Sequence, residues 1–289
     1  MIIGGLEAGG TKMVCAIGDE YGKITDTYVI PTKEPKDTIP LLFDYFKSNN
    51  IEALGIGSFG PIDLNKNSKT YGYITTTPKK GWSNFDMVGA FKALDVPIGF
   101  DTDVNGSALG EHTYGKGQGV DNLVYITVGT GIGAGIISEG RLLHGMLHPE
   151  AGHMLLKRHE DDMDFESFCP YHDNCLEGLA AGPAIEKRWN KKAYDIPVDH
   201  KAWEIESYYL AQALVNMTLI LGTQRFILGG GVMHQLNLFP MIREEFKKQL
   251  NGYIVTKEIE DLENFIIPQS LDDKQGILGA IKLGLQSKE

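Results

Sequence analysis

Gly129-Thr130-Gly131-Ile132-Gly133-Ala134-Gly135 is the stretch whose reading decides the fold. An apolar run of strand character, Leu123-Val124-Tyr125-Ile126-Thr127-Val128, leads into it, and Ile136-Ile137 leads out. Four glycines between strand-like segments predict a tight turn whose backbone N–H groups are uncovered by side chains. Glycine permits the conformations in which such groups converge on phosphate oxygens. A turn that binds nothing fits the same pattern. What favours a ligand is an echo at the N-terminus. Ile2-Ile3-Gly4-Gly5-Leu6-Glu7-Ala8-Gly9-Gly10-Thr11-Lys12 is again a strand running into a glycine turn, and Met13-Val14-Cys15-Ala16-Ile17 follows as a second strand. Two such hairpins predict two related α/β halves with a cleft between them and both turns aimed at one polyphosphate.

Outward from these hairpins, the first half continues with a strand at 24–30, a helix at 36–49 and a buried strand at 53–57 that ends in Gly60-Pro61. A loop covers 63–82, a short helix 85–94 and a strand 96–100. A helix over 106–114 leads to the flexible joint Gly115-Lys116-Gly117-Gln118-Gly119. The domain boundary falls there, giving lobes of 1–115 and 116–273, with a final helix near 274–289 packing back on the first. In the second half a helix spans 204–221, with Tyr209, Leu210, Ala213, Leu214, Met217, Ile220 and Leu221 as one apolar stripe. A strand at 226–228 meets Gly229-Gly230-Gly231-Val232, and a helix near 239–250 and a strand at 265–267 follow.

The chain has 289 residues, 42% hydrophobic and 22% charged, and a net charge of −11. That composition is globular, and the acidic balance disfavours nucleic acid and anionic membranes as partners. No apolar run has the length of a membrane-spanning helix, and the opening Met1-Ile2-Ile3 lacks the basic start of a secretory signal. Three cysteines, two of them in a metal-like spacing, suit a reducing cytoplasm.

Three places carry chemistry. Asp103 follows a strand beside Asp101 and Asn105. There a carboxylate either accepts a proton from an attacking hydroxyl or caps the next helix. His153, Cys169, His172 and Cys175 offer two thiolates and two imidazoles, a closed tetrahedral zinc set of structural type. Ordinary thiols and surface histidines are the plainer alternative. Glu150 and Glu177 flank that set and are candidates for sugar hydroxyls, or solvated loop carboxylates. His144, His148 and His159 read as loop residues, and Cys15 as core. Ala181-Gly182-Pro183 opens a helix with proline near its first turn. No Gly-x-x-x-x-Gly-Lys-Ser/Thr motif is present, which excludes a P-loop protein.

Taken together, Glu7 to Lys12, Asp103-Val104-Asn105, Gly129 to Gly135, His148-Pro149-Glu150-Ala151-Gly152-His153 and Gly229-Gly230-Gly231-Val232 resemble the ROK sugar kinases, over essentially the whole chain. Cys169-Pro170-Tyr171-His172-Asp173-Asn174-Cys175, Ser58 to Asp63 and Ile74 to Trp82 look like the fructokinase branch. The resemblance implies two actin-like, ribonuclease H-like α/β lobes and transfer of phosphate from magnesium-bound ATP to the 6-hydroxyl of D-fructose. It implies Asp103 as base, and Gly60, Pro61, Thr102, Asp103, Glu150, His153 and Glu177 as sugar contacts. ATP falls to Gly9, Gly10, Thr11 and Lys12, then Thr130, Gly131 and Gly133, then Gly182, Pro183, Gly229, Gly230, Gly231, Val232 and Met233. Zn²⁺ falls to His153, Cys169, His172 and Cys175, and the assembly is expected to be a homodimer. Glu7 stands where the superfamily often has Asp, and Thr102 where many glucokinases have Asn. No DNA-binding segment is expected before Met1. The rival readings are a kinase of glucose, mannose or broad hexose specificity, and a sugar- and ATP-sensing protein without turnover.

Overall fold

A computed structural model describes residues 1–288. The chain divides into two compact units. Residues 1–118, 142–148 and 270–288 form the first, and 119–141 with 149–269 form the second.

The first unit opens with β1 (Ile3–Ala8), β2 (Lys12–Gly18) and β3 (Ile24–Pro31). Then come α1 (Pro35–Ser48), β4 (Ala53–Ser58), the short pair β5 (Tyr73–Ile74) and β6 (Phe85–Asp86), β7 (Ile98–Thr102) and α2 (Asp103–Tyr114). The main sheet runs β3-β2-β1-β4-β7. Its first three strands are antiparallel, and β1, β4 and β7 are parallel. Sequence sets these places. Every residue of Ala53–Ser58 is buried, as a strand covered on both faces requires, whereas most of Ile24–Pro31 is exposed, as an edge strand is.

In the second unit the strands are β8 (Leu123–Val128), β9 (Ile132–Ser138) and β10 (Arg141–Leu142), and two short helices follow, α3 (Leu176–Ala180) and α4 (Gly182–Trp189). The long α5 (Ala202–Leu221) leads to β11 (Arg225–Gly229) and α6 (Leu238–Leu250); α7 (Lys257–Glu260), α8 (Leu262–Phe265) and β12 (Ile266–Pro268) complete the unit. The sheet order is β10-β9-β8-β11-β12, with β8 antiparallel to β9 and parallel to β11. The two units therefore repeat one plan, a three-strand meander whose first strand continues into a parallel pair.

The last helix, α9 (Gln275–Gln286), belongs to the first unit and covers one face of its sheet with Ile277, Ala280 and Ile281 against Ile3 and Ala16. The other face packs Leu42, Phe46, Trp82 and Phe91 against Leu6 and Ile56. The contact of α9 with α2 needs a bare backbone, because a Cβ on Gly279 would lie 1.6 Å from the Gly106 carbonyl oxygen. Glu111, buried at the end of α2, binds Ser270 N at 2.6 Å and Ser270 Oγ at 2.5 Å and so ties the returning chain to α2.

Several expectations change. The 63–82 loop contains β5, and Phe85–Asp86 is its strand partner rather than the start of a helix. Met87 and Val88 bond to the Gly72 carbonyl, closing that hairpin, and Asp86 Oδ1 accepts Gly89 N–H at 2.7 Å, so only Gly89–Leu94 coils, as a 3-10 helix. Phe265 ends α8 instead of opening the last strand. Ile220 leaves the apolar stripe of α5 and is 78% exposed, since it sits in the turn just before the Gly222 cap, beyond the packed part of the helix. Among the described residues no helix is long and apolar enough to cross a membrane.

Candidate active site

In the first unit the candidate residues gather at the carboxyl ends of strands, where open α/β sheets bind ligands. The turn after β1 is closed by Gly9 N–H donating to the Lys12 carbonyl at 3.0 Å. Thr32 backs it, its hydroxyl donating to the Gly9 carbonyl at 2.7 Å. Gly10, Thr11 and Lys12 remain exposed, as a phosphate-binding turn must be. Glu7, one residue from the end of β1, lies against the first turn of α9. Burial pushes its carboxyl above the ordinary value, with Lys12 opposing and Asp273 adding to the rise.

β4 and β7 end side by side, Ser58 opposite Thr102. Gly60-Pro61 and Asp103 therefore leave the sheet as neighbours. The cap of α2 is Thr102, whose Oγ1 accepts Asn105 N–H at 3.1 Å. Asp103 is thus relieved of the capping role: it is the first helical residue, and its Oδ1 accepts Val104 N–H at 2.9 Å. Asp101, nearly inaccessible, accepts Thr102 N–H at 2.8 Å and the Asn105 amide at 2.7 Å on Oδ1, while Oδ2 faces His144 Nε2 at 2.8 Å.

The second unit gathers its glycines around the end of β8. Gly129 N–H donates to the Gly131 carbonyl at 2.9 Å, and Gly182 N–H donates to the Gly129 carbonyl at 2.8 Å, which brings the start of α4, with Pro183, to the turn carrying Thr130. Gly133 pairs with Thr127 in the same hairpin. Gly229 is Thr127's partner on the other side, and a Cβ on Gly230 would meet the Val128 carbonyl oxygen at 2.5 Å. Gly231 is exposed, whereas the Val232 and Met233 side chains are buried in protein, leaving their backbone as what a nucleotide could reach. Glu177 belongs to this turn as well: its Oε2 accepts Ile132 N–H at 2.9 Å.

Between Pro149 and Cys175 the chain has only short 3-10 turns, at Ala151–His153 and Glu160–Asp162. Here His153, Cys169, His172 and Cys175 offer ligand atoms that all lie within 4.8 Å of one another. His153 Nδ1 is 3.8 Å from Cys169 Sγ and 3.7 Å from Cys175 Sγ, and His172 Nδ1 is 3.7 Å from Cys169 Sγ. Ordinary zinc–sulfur and zinc–nitrogen bonds give a tetrahedron with edges of about 3.3–3.8 Å; these three separations lie at the top of that range, and the donor types suit a zinc ion. Burial pushes the Cys175 thiol up to about 11, with Gly178 N–H opposing; a bound cation would offset that cost of forming a thiolate. His153 faces two ways, since its Nε2 lies 4.0 Å from Glu177 Oε1. Glu150 is exposed one turn upstream, its carbonyl accepting His153 N–H at 3.0 Å.

Three features escaped sequence reading. His144 and His148, read there as loop residues, both anchor to strand ends; His148 Nε2 accepts Ile62 N–H at 3.3 Å. His148 stands in the sequence as the first residue of the His148 to His153 stretch, and His144 has no signal beyond lying four residues before it. The third is a buried cluster in the second unit. Arg188 grips Asp162 with two bonds, at 2.7 and 2.9 Å, and Tyr209 donates to the same carboxylate at 2.7 Å. Partners 26 and 47 residues apart leave no local pattern to find.

The sequence profile of the ROK family matches residues 3–287. A fructokinase of Pediococcus pentosaceus is 50% identical over 284 residues, covering 98% of this chain and 97% of that protein. A fructokinase of Lactococcus lactis subsp. cremoris is 51% identical over 252 residues, covering 87% and 86%. The crystal structure of a ROK hexokinase from Thermus thermophilus superposes with a TM-score of 0.82 at 24% identity, over 100% of this chain and 99% of that one.

Proposed function

The chain belongs to the ROK family, and we propose that Asp103 is the base of its kinase reaction. The protein is a fructokinase, converting ATP and D-fructose to ADP and D-fructose 6-phosphate. Asp103 accepts a hydrogen bond from the sugar 6-hydroxyl, aligns its oxygen with the γ-phosphorus and takes the proton as the bond to phosphorus forms. The observation that carries this assignment is the place of Asp103: it opens α2 where β7 ends, beside the end of β4 that leads to Gly60-Pro61, while Thr102 caps the helix.

In the first unit, Gly9, Gly10, Thr11 and Lys12 hold phosphate oxygens, and Gly60, Pro61 and Thr102 line the sugar beside Asp103. In the second, Thr130, Gly131 and Gly133 hold phosphates, while Gly182, Pro183 and Gly229 to Met233 lie along the adenosine. Glu150, His153 and Glu177 bind sugar hydroxyls. Most of the catalysis in such a transfer comes from fixed N–H groups and positioning, with Mg²⁺ arriving on ATP to neutralise phosphate charge.

His153, Cys169, His172 and Cys175 hold a structural Zn²⁺. Its effect on the reaction is indirect: with His153 Nδ1 on the metal side, Nε2 is left facing Glu177, and the loop carrying Glu150 is fixed. A homodimer in the cytoplasm is the working assembly, checked by light scattering on the purified protein. The test of the substrate is a coupled assay of ADP release across fructose, glucose and mannose. Fructose is expected to give the highest kcat/KM. A higher value for glucose or mannose would reassign the substrate, and no sugar-dependent ADP release would point to a sensor.

A further inference from the structure

Residues 142–148 take part in neither the glycine turns nor the metal set, yet they are fastened to the first unit at two points. His144 Nε2 meets Asp101 Oδ2 at 2.8 Å, and His148 Nε2 accepts Ile62 N–H at 3.3 Å. Both anchors lie at strand ends that are neighbours in the sheet. Asp101 belongs to β7, two residues before Asp103, and Ile62 follows Pro61, just beyond β4. Between the anchors Gly145 N–H donates to the Leu147 carbonyl at 3.1 Å, and Met146 stands fully exposed. The segment is a strap laid over the two strand ends that carry Gly60-Pro61 and Asp103.

Asp101 is 3% exposed, and a carboxylate so placed depends on its hydrogen bonds. Its Oδ1 holds Thr102 N–H and the Asn105 amide, the two residues on either side of the Asp103-Val104 turn. His144 holds Oδ2. Its loss frees that oxygen to rotate and loosens Thr102 and Asn105 with it.

We propose that His144 is a positioning residue of the kinase reaction: through Asp101 it fixes the turn that presents Asp103, and it pins the strap beside Gly60-Pro61. The inference rests on the assignment of Asp103 and Gly60-Pro61 to the sugar. Asp101 raises the His144 pKa above the ordinary histidine value, chiefly through their hydrogen bond, with burial opposing. The Tyr71 hydroxyl is raised by burial and by the same Asp101 charge. The charged pair is therefore complete at and below the ordinary histidine pKa and is lost as pH rises through the raised one.

The test varies fructose and ATP separately, as a function of pH, for the full-length protein and for His144→Ala and His144→Gln, with a melting curve for each. His144→Ala is expected to lower kcat/KM for fructose about tenfold, the worth of one charge-assisted hydrogen bond. KM for ATP should stay within about twofold, inside the scatter of surface substitutions. The wild type is expected to show an alkaline fall in kcat/KM for fructose that vanishes in both variants, while His144→Gln, which keeps an N–H donor, recovers part of the loss at neutral pH. Equal changes in the fructose and ATP constants, or an alkaline limb that survives in His144→Ala, would overturn the inference and leave the fructokinase assignment standing. A wild-type protein that releases no ADP with fructose would overturn both.

Discussion

The two units share one sheet plan and secure their working residues in opposite ways. In the first, regular structure suffices. β7 ends, α2 begins, Thr102 caps it, and Asp101 ties Thr102 to Asn105, so Asp103 is placed by backbone geometry and short-range hydrogen bonds. In the second, Glu150 and His153 stand on a stretch of more than twenty residues with only two 3-10 turns. Nothing periodic holds it. It is held by cross-links between distant residues, among them the Leu155–Cys175 bridge and the buried Asp162–Arg188–Tyr209 cluster, and the His/Cys set is placed to add another. A loop that must be rigid without secondary structure needs strong, specific bonds, and metal coordination and a buried ion pair are two that proteins have.

This contrast can be broken by substitutions in the second unit, ranked by their expected effect on stability. Cys175→Ser takes one thiol from the proposed metal set while leaving a side-chain acceptor at the cap of α3. It should abolish stoichiometric zinc and lower stability by several kcal/mol, on the order of 5 or more, because structural metal binding is folding free energy. Metal analysis with a denaturant titration reads both, and zinc-free wild-type protein of unchanged stability would remove the metal from the account. Asp162→Asn leaves Arg188 buried with half its partner and should cost about 3–5 kcal/mol, measured by urea unfolding. A loss under 1 kcal/mol would mean the cluster does not hold the loop.

The third effect, read as a slope against pH, concerns Glu206 on α5. It is 1% exposed, and neither carboxylate oxygen has a hydrogen-bond partner. Burial raises its pKa to about 8, with Asp162 adding and Arg188 opposing. A carboxyl whose folded pKa lies above its unfolded one binds a proton more tightly when folded. It costs nothing below the ordinary value near 4.5 and costs progressively more as pH rises to about 8. Relative to Glu206→Gln, the wild type should therefore lose stability across that window by up to about 1.4 kcal/mol per pH unit. Parallel stability–pH curves for the two proteins would show that Glu206 is charged and partnered.

How far the sequence reveals this molecule follows from the same contrast. The glycine hairpins, the parallel strands and α5 could be read because their signals are local: apolar runs, period and turn residues. The His/Cys set could be read because its donors cluster in seven residues with one histidine upstream. Phe85–Asp86 reads as helix in the sequence because its strand character comes from pairing with Tyr73–Ile74, and not from its own composition. His144 and the Asp162 cluster were invisible because each depends on a partner brought by the fold from 26 to 47 residues away. The choice between capping and catalysis at Asp103 is open in the sequence, where Asp is a favoured cap. The observed bond from Asn105 to Thr102 assigns the cap.

The most direct test of the account is the Asp103→Asn variant, assayed for fructose-dependent ADP release beside a nucleotide-binding titration. Asparagine keeps the size of the side chain and cannot take a proton. The account predicts that kcat falls by about 10²–10⁴-fold while ATP affinity and the melting temperature stay near those of the wild type. Turnover within a few-fold of wild type would contradict it.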